Sequence, residues 1–253
     1  MFVSETWPAS LRELVGNYRA EVVTVGLSKD AVYRLHGETI AYLKIGDDLR
    51  GEHDRLRWLE GRLPAPRVLH YVVEATKHYL LTTEVPGVMT HEVDLPYLKR
   101  VQLMAEGARM WHALPALECP FDQRIDIQIR RAQQNMAAGL VNADHFDIYR
   151  HGRTARDLIE EIQQTRPAED DLVVTHGDYC LPNILVDPVT QQITGFVDLG
   201  RMGVADRFVD LAIGARSITY NLGGIWVEPF MVAYGLSMDR AKYNFYTALD
   251  EFF

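Results

Sequence analysis

The chain has no long apolar run and very little cysteine. No stretch approaches the roughly 18–20 consecutive apolar residues that a membrane-spanning helix needs. Its two cysteines, Cys119 and Cys180, argue against a disulfide scaffold and favour a reducing compartment. Residues 1–5 lack the basic and apolar segments of a signal peptide. We therefore expect a cytoplasmic protein without a membrane partner.

Positive charge is in deficit, because 26 Lys and Arg face 35 Asp and Glu, giving a formal net charge of -9. Such a chain is a poor ligand for nucleic-acid phosphates, whereas acidic clefts attract cationic small molecules. Many soluble proteins are equally acidic, so the charge alone does not decide. No Walker A pattern occurs, which argues against a P-loop nucleotide site. Residues 26–31 also contain too few glycines for the phosphate loop of protein kinases.

Hydrophobic periodicity predicts a sheet-rich N-terminal part and a helix-rich C-terminal part. Strands are expected at 21–26, 31–36, 39–45, 67–73 and 78–84. Helices are expected at 8–18, 48–63, 98–111, 124–138, 154–165, 206–221, 225–234 and 238–251. Short strands interrupt the helical part between 172 and 198. Pro86-Gly87 marks the predicted hinge, which gives two domains at residues 1–85 and 86–253.

Two apolar segments each end at a carboxylate, and an amide side chain lies between the two acids. Asp178 follows the run 172–174, Asn183 comes five residues later, and Asp198 fifteen residues after that. A loop carboxylate can accept a proton from a hydroxyl, and amide and carboxylate oxygens are suitable ligands for Mg²⁺. Either acid could instead cap a turn. The three together have the spacing typical of protein-kinase phosphoryl transfer.

Lys44 ends an alternating segment that predicts a strand, where its amine could neutralise phosphates. On a helix at 48–63, Glu52 shares one face with Leu49, Leu56, Leu59 and Leu63. A charge on an apolar face is costly unless it is paired, so Lys44 is the predicted partner of Glu52. Glu60 is the weaker alternative partner, because it lies at the helix end. In isolation, Lys44 could be an ordinary exposed strand residue.

Two acidic side chains, Asp250 and Glu251, lie close to the end of the sequence, in the predicted last turn of a helix. Acids in that position oppose the helix dipole at a cost of about 0.3–1 kcal/mol each. Their placement suggests that they bind an ammonium group, with the main-chain carboxylate of Phe253 as a third negative charge. A frayed, solvated terminus is the alternative interpretation.

These segments together resemble the aminoglycoside phosphotransferases, in particular the 3′-phosphotransferases that act as kanamycin and neomycin kinases. The segment from His176 to Asn183 is shared by many small-molecule kinases. The run at 198–206 and the ending at 249–253 point more narrowly to the 3′ group. Further matching segments are 26–28, 32–33, 42–44 and 58–64, so the resemblance covers nearly the whole chain.

The resemblance implies an α+β, bilobal protein-kinase-like fold with an N-terminal nucleotide-binding lobe and a C-terminal catalytic and aminoglycoside-binding lobe. It implies Asp178 as the catalytic carboxylate and Asn183 and Asp198 as the Mg²⁺ ligands. Lys44, positioned by Glu52, would contact the phosphates of ATP. Further nucleotide contacts would come from Ser28, Tyr42, Thr83 and Val85. The implied substrate-binding residues are Asp144, Asp147, Arg201, Arg216, Asp250, Glu251 and Phe253.

The implied reaction is ATP-dependent phosphorylation of the 3′-hydroxyl of a cationic aminoglycoside, which confers antibiotic resistance. We expect a monomer or weak dimer without a nucleic-acid partner, and the sequence leaves GTP open as the phosphoryl donor. Two departures affect only the antibiotic range. Ser217, Tyr220 and Asn221 stand where the family carries acids, and the loop at 142–151 includes His145, Arg150 and His151.

Two other functions remain open from the sequence. One is a kinase for a different small alcohol, such as a macrolide, an amino alcohol or a sugar. The other is a nucleotide-binding module without catalysis, against which the intact set Lys44, Asp178, Asn183 and Asp198 argues.

Overall fold

A computed structural model describes residues 6–23 and 30–253. Within these residues, helices α1 to α8 span Ala9–Val15, Arg50–Leu59, Tyr97–His112, Ile125–Ala137, Ala155–Gln164, Phe208–Asn221, Val227–Tyr234 and Arg240–Asp250. Strands β1 to β10 span Arg19–Val23, Ala31–His36, Ile40–Gly46, Val68–Glu74, Lys77–Thr83, Val88–Met89, Leu172–Thr175, Ile184–Val186, Ile193–Phe196 and Gly203–Asp206. The α+β class is confirmed, and each predicted helix and strand has a counterpart whose ends differ by a few residues.

The chain divides into two compact units. The first unit contains the residues up to Pro86 together with Thr194–Gly200, and the second contains Gly87–Ile193 and Arg201–Phe253. The sequence predicted a continuous second domain from residue 86 onward. The structure differs because the backbone N–H of Phe196 donates to Pro64 O at 3.0 Å. Gly195 packs so closely there that a Cβ atom would lie 2.8 Å from the same oxygen.

A five-stranded antiparallel sheet makes up most of the first unit, in the order β1-β2-β3-β5-β4. Side chains alternate across β3, so Ala41 and Leu43 are buried on one face while Tyr42 and Lys44 lie on the other. The buried face packs against α1 in a cluster formed by Trp7, Leu11, Val15, Ala20, Leu35, Ala41, Leu43 and Leu81. Burial of this face therefore fixes the side on which Lys44 lies.

Helix α2 follows β3 and is buried along one side. Leu56 and Leu59 are 3% and 0% exposed, and Glu52 lies one turn before Leu56 on the same side. The helix ends at Leu59, and Gly61 then adopts a φ of 75°. The helix geometry thus places a carboxylate beside the sheet face that carries Lys44.

The second unit is mainly helical. Helix α3 buries one face at intervals of three and four residues, through Val101, Met104, Ala105, Ala108 and Trp111. It packs against α7, and α6 packs against α8. In the part of the chain that the structure describes, no helix is both long and apolar enough to span a membrane.

Two short strands in the second unit position its central turn. β7 pairs with β10 antiparallel, with Thr175 opposite Gly203 and Leu172 opposite Asp206. The hydroxyl of Thr175 also donates to Gly203 O at 2.9 Å. Because β7 ends at Thr175, this pairing anchors the turn that begins at His176.

Candidate active site

Lys44 and Glu52 form an ion pair in the first unit, as the helix face predicted. Lys44 Nζ lies 2.7 Å from Glu52 Oε2 and 3.7 Å from Asp30 Oδ2. Burial alone would lower the pKa of Lys44. The charge and hydrogen bond of Glu52, with the charges of Asp198 and Asp30, outweigh burial and raise this pKa above its ordinary value. The amine is therefore charged at neutral pH, as a phosphate-binding group must be.

Glu60, the alternative partner, directly follows α2 and pairs with Arg57 in the last turn of that helix at 2.9 Å. This contact joins side chains three residues apart, of which Arg57 is 55% exposed. Glu60 is therefore not a partner of Lys44, and Glu52 is the carboxylate that positions the amine.

Asp198 lies at the end of the segment that returns to the first unit. Its side chain is exposed, and its backbone adopts a φ of 57°, in the left-handed region. Aspartate tolerates this conformation better than most residues do. Leu199 beside it is 1% exposed, which anchors the turn while the carboxylate stays accessible. The charge of Asp198 contributes to the raised pKa of Lys44.

Tyr42 lies on the same face of β3 as Lys44, two residues before it. It is next to Arg34 on β2, whose guanidinium pairs with Glu84 at 2.9 Å. Burial raises the pKa of Tyr42, with a smaller lowering effect from Arg34 and a raising effect from Glu84. The phenol is thus neutral and half-buried, and its contact with adenine stays a prediction.

Three further residues were predicted to contact the nucleotide, and for all three this contact stays a prediction. Ser28 lies outside the described residues. The N–H of Thr83 donates to Arg67 O at 2.9 Å, and its hydroxyl oxygen accepts from Arg67 N at 3.0 Å. Val85 packs near Gly195, where an added Cβ atom would lie 2.6 Å from Val85 Cγ1. The N–H of Thr83 is already engaged, so a nucleotide contact by this residue would need another atom.

Asp178 lies in a tight turn of the second unit, directly after β7. Gly177 before it has a φ of 87°, and a Cβ there would lie 2.3 Å from Arg201 O, so only glycine fits. The side-chain Nδ2 of Asn183 donates to both Asp178 O and Asp178 Oδ2 at 2.9 Å. Asn183 therefore orients the Asp178 carboxylate. The same two bonds commit its amide nitrogen and leave the carbonyl oxygen as its ligand atom.

Asp210 holds the first half of this turn. It is fully buried in the first turn of α6, and its two carboxylate oxygens accept from His176 N at 2.8 Å and from Gly177 N at 2.9 Å. His112 Nε2 lies 3.2 Å from Asp210 Oδ2. Asp210 was not among the residues predicted from the sequence. Its signal was a carboxylate between Val209 and Leu211 in an apolar helix, which needs partners as much as Glu52 does.

Two further bonds hold the residues on the other side of Asp178. The hydroxyl of Tyr179, fully buried, donates to Met104 O at 2.5 Å. The N–H of Leu181 donates to Ser217 Oγ at 3.0 Å. Ser217 lies in the segment where the resemblance predicts acidic residues. In this structure its hydroxyl positions the backbone of the catalytic turn.

The predicted substrate-binding residues form a charge network in the second unit, which we call the acceptor network. Arg201 lies 2.7 Å from Asp250 Oδ1, Arg216 pairs with Asp250 Oδ2, and Arg216 is 3.3 Å from Glu251 Oε1. The guanidinium of Arg201 also lies over the ring of Phe253, at 4.6 Å. The acids that were predicted to hold substrate ammonium groups are thus paired with arginines.

The two acids of this network differ in their pKa. Burial would raise the pKa of Asp250, but Arg201 and Arg216 outweigh it and lower the pKa below its ordinary value. For Glu251 burial prevails over Arg216, and the charge of Asp147 adds to it, which raises the pKa to about 7. Asp250 is therefore ionised at neutral pH, whereas Glu251 changes its charge near neutral pH.

The loop at 142–151 carries the two other predicted acids, and only Asp147 belongs to the acceptor network. Asp147 accepts from Arg150, and its N–H donates to Glu251 Oε1 at 3.3 Å. Arg150, which the sequence indicated only as a departure of this loop from the family and not as a substrate-binding residue, is 7% exposed and donates to Thr247 Oγ1 at 2.9 Å. Asp144 lies outside this network with an exposed side chain. The structure thus brings together every predicted substrate residue except Asp144, and it adds a third arginine.

The sequence profile of the phosphotransferase enzyme family matches residues 19–246. The chain belongs to this family. It is 40% identical to an aminoglycoside 3′-phosphotransferase of Streptomyces fradiae, over 97% of this chain and 99% of that protein. The resemblance seen in the sequence is therefore confirmed.

Solved structures of the family share the fold. A crystal structure of an aminoglycoside-3′-phosphotransferase of type VIII is 36% identical, with a TM-score of 0.86 over 96% of this chain and 97% of that chain. The aminoglycoside phosphotransferase APH(3″)-Id from Streptomyces rimosus, in complex with ADP and streptomycin, is 32% identical. Its TM-score is 0.84 over 96% of this chain and 95% of that chain.

Proposed function

We infer that the protein transfers the γ-phosphoryl group of ATP to the 3′-hydroxyl of an aminoglycoside and so confers antibiotic resistance. The observation that carries this proposal is the turn at Asp178, whose carboxylate is oriented by Asn183 and whose backbone is held by Asp210. Similarity to an aminoglycoside 3′-phosphotransferase over nearly the whole chain supports an aminoglycoside as the acceptor. The added phosphate would weaken antibiotic binding to ribosomal RNA, because it repels RNA phosphates.

Asp178 is the proposed catalytic residue. Its carboxylate accepts the proton of the acceptor hydroxyl while the oxygen forms a bond to the γ-phosphorus. The bond between that phosphorus and the bridging oxygen breaks, and ADP leaves with the electron pair. Lys44, kept charged and positioned by Glu52, offsets the negative charge of the phosphates. Phosphoryl transfer needs mainly such positioning and charge balance.

Asn183 and Asp198 are the proposed Mg²⁺ ligands. They offer an amide oxygen and an accessible carboxylate, the hard oxygen donors that Mg²⁺ prefers. The bound metal would neutralise charge on the nucleotide phosphates. Among the described residues there is no group of three or more His, Cys, Asp or Glu that could hold a metal ion.

The proposal is tested by acceptor-dependent release of ADP from ATP, and from GTP in parallel. The panel contains kanamycin, neomycin, streptomycin, a macrolide and an amino alcohol. We expect turnover with kanamycin and neomycin. Turnover of streptomycin alone would indicate that the protein phosphorylates a 3″-hydroxyl instead. Turnover of the macrolide or the amino alcohol alone would mean that the acceptor is not an aminoglycoside. Tight ATP binding without any turnover would indicate a binding module.

We also propose that the protein acts in the cytoplasm as a monomer or weak dimer, without a nucleic-acid or membrane partner. Light scattering across a concentration series checks the oligomeric state. A stable oligomer larger than a dimer would contradict the proposed monomer or weak dimer.

A further inference from the structure

Asp30 lies directly before β2, on the face of the sheet that carries Lys44. In the pairing of β2 with β3, Ala31 is opposite Ile45. One residue further along this pair, Asp30 is therefore opposite Gly46, and its side chain lies on the same face as the Lys44 amine. An added Cβ atom on Gly46 would collide with Asp30 Oδ1, so the carboxylate occupies the space that a side chain there would need. This packing fixes the carboxylate near the amine.

The carboxylate of Asp30 is a second anion beside the Lys44 amine. Lys44 Nζ lies 2.7 Å from Glu52 Oε2, to which it donates a hydrogen bond, and 3.7 Å from Asp30 Oδ2, which is beyond hydrogen-bond distance. Glu52 therefore orients the amine, whereas Asp30 acts on it through its charge. The side chains of Lys44 and Asp30 are 21% and 28% exposed, so an incoming anion can reach both.

The carboxylates around Lys44 carry more charge than the amine can balance. Burial lowers the pKa of this amine, and the charge and hydrogen bond of Glu52, with the charges of Asp198 and Asp30, outweigh burial. Glu52 positions the amine, and Mg²⁺ would offset the charge of Asp198. No step of the proposed reaction uses Asp30. Its carboxylate therefore remains as a negative charge at a site that has to bind phosphates.

A phosphate held by Lys44 comes close to Asp30. An oxygen that accepts a hydrogen bond from Nζ lies within about 3 Å of that nitrogen. Because Nζ is 3.7 Å from Asp30 Oδ2, the two oxygens are at most about 7 Å apart, which is less than the Debye length of about 8 Å at physiological salt. Lys77 also feels the charge of Asp30, but it forms an exposed ion pair of its own with Asp47 at 2.6 Å. Asp30 and a bound phosphate therefore repel each other.

We propose that Asp30 limits the affinity of the protein for nucleotide phosphates and thereby speeds the release of ADP. Its carboxylate competes with the phosphates for Lys44 before the nucleotide binds and repels them afterwards. The binding energy that it removes is common to ATP and ADP, so it weakens substrate and product alike. This assignment rests on the proposed function, since it requires a nucleotide at Lys44.

Calorimetric titration with ADP and with ATP tests this role without any acceptor. Asp30→Asn keeps the shape of the side chain and removes its charge, so we expect the Kd of ADP in the presence of Mg²⁺ to fall by about three- to tenfold. The fall should be larger without Mg²⁺, because the metal-free nucleotide carries more negative charge. Asp30→Ala removes the carboxylate altogether and should also bind both nucleotides more tightly.

A release rate and a matched control complete the experiment. Stopped-flow release of a fluorescent ADP analogue from Asp30→Asn should slow by a factor similar to the fall in Kd. Glu38→Gln removes an exposed carboxylate from the turn between β2 and β3, at the other end of β2. This control should change neither the Kd nor the release rate.

The outcomes distinguish this role from the proposed function. Unchanged or weaker nucleotide binding in either variant at Asp30, an unchanged release rate, or the same gain with and without Mg²⁺ would overturn the assignment. The carboxylate would then act through its packing or by positioning Lys44. No binding of either nucleotide by the wild-type protein would overturn both this assignment and the proposed function. Tighter binding by the variants, without turnover of any aminoglycoside by the wild-type protein, would overturn the proposed function alone.

Discussion

The catalytic turn and the acceptor network hold their carboxylates in different ways. Asp178 accepts from the neutral amide of Asn183, whereas Asp250 lies between the guanidiniums of Arg201 and Arg216. A neutral donor orients a carboxylate and leaves its charge in place, while a guanidinium balances that charge. The first arrangement suits a group that must take up a proton. In the second, a substrate ammonium has to compete with arginine for the same oxygens.

Paired substitutions at Asp178 and Asp250 should show the largest difference between the two regions. Asp178→Asn keeps the side-chain shape but removes the base, so we expect kcat to fall by about 10²–10⁴. Asp250→Asn leaves the reacting groups in place, so we expect a higher KM for the cationic acceptor and a change in kcat within about threefold. Steady-state kinetics of ADP release measures both parameters.

Asp94→Asn, at an exposed position before α3, is the matched control and should change neither parameter. Equal losses of kcat in the variants at Asp178 and Asp250 would remove the distinction between the regions.

The anchors of the catalytic turn should differ in their effect on stability. Asp210→Ala leaves the buried N–H groups of His176 and Gly177 without their acceptor, so the free energy of unfolding should fall by about 2–4 kcal/mol. Ser217→Ala removes a single acceptor, that of Leu181 N, and should cost about 1 kcal/mol. Urea denaturation measures both values. An equal cost would mean that the turn does not depend mainly on Asp210.

A smaller effect should appear in the pH dependence of acceptor binding. Because burial raises the pKa of Glu251 to about 7, the group is mostly neutral at pH 6 and mostly charged at pH 8. The KM for a cationic acceptor should therefore fall by about two- to fivefold over that range. Glu251→Gln should lose this component, and Glu106→Gln, an exposed control on α3, should keep it. Identical profiles for all three proteins would exclude Glu251 as the titrating group.

The pH dependence of folding stability has the opposite sign to that of acceptor binding. The pKa of Glu251 in the folded protein lies above its ordinary value of 4.5. The folded protein therefore binds more protons than the unfolded chain between about pH 4.5 and 7. The contribution of this group to stability is complete below that window and decreases as the pH rises through it. Urea midpoints of wild type and Glu251→Gln should lie close together near pH 4.5 and separate as the pH rises toward 7, with the wild type becoming the less stable, because glutamine stays neutral.

Local patterns in the sequence were sufficient to predict the helices and strands and the Lys44–Glu52 ion pair. The alternation of β3 and the apolar face of α2 each constrain one partner, and only eight residues separate them. The turn from His176 to Asn183 was equally local. By contrast, Asp210 binds a turn 33 and 34 residues away, and Arg150 contacts Thr247 at a separation of 97 residues. No local pattern shows such partners.

The ending of the chain shows the same limit. The sequence predicted that Asp250 and Glu251 bind ammonium groups, because acids oppose the helix dipole there. The dipole argument identified acids that need a cation but could not identify the cation. Arg216, 34 residues before Asp250, occupies that position in the folded chain.

The position of the phosphate on the product of kanamycin tests the proposed reaction most directly. The product is purified after incubation with ATP and Mg²⁺, and the phosphorylated oxygen is assigned by NMR through the coupling between phosphorus and the ring proton. We expect the phosphate on the 3′ oxygen. A phosphate on any other oxygen, or kanamycin recovered unchanged, would contradict the proposed role of Asp178 toward this hydroxyl.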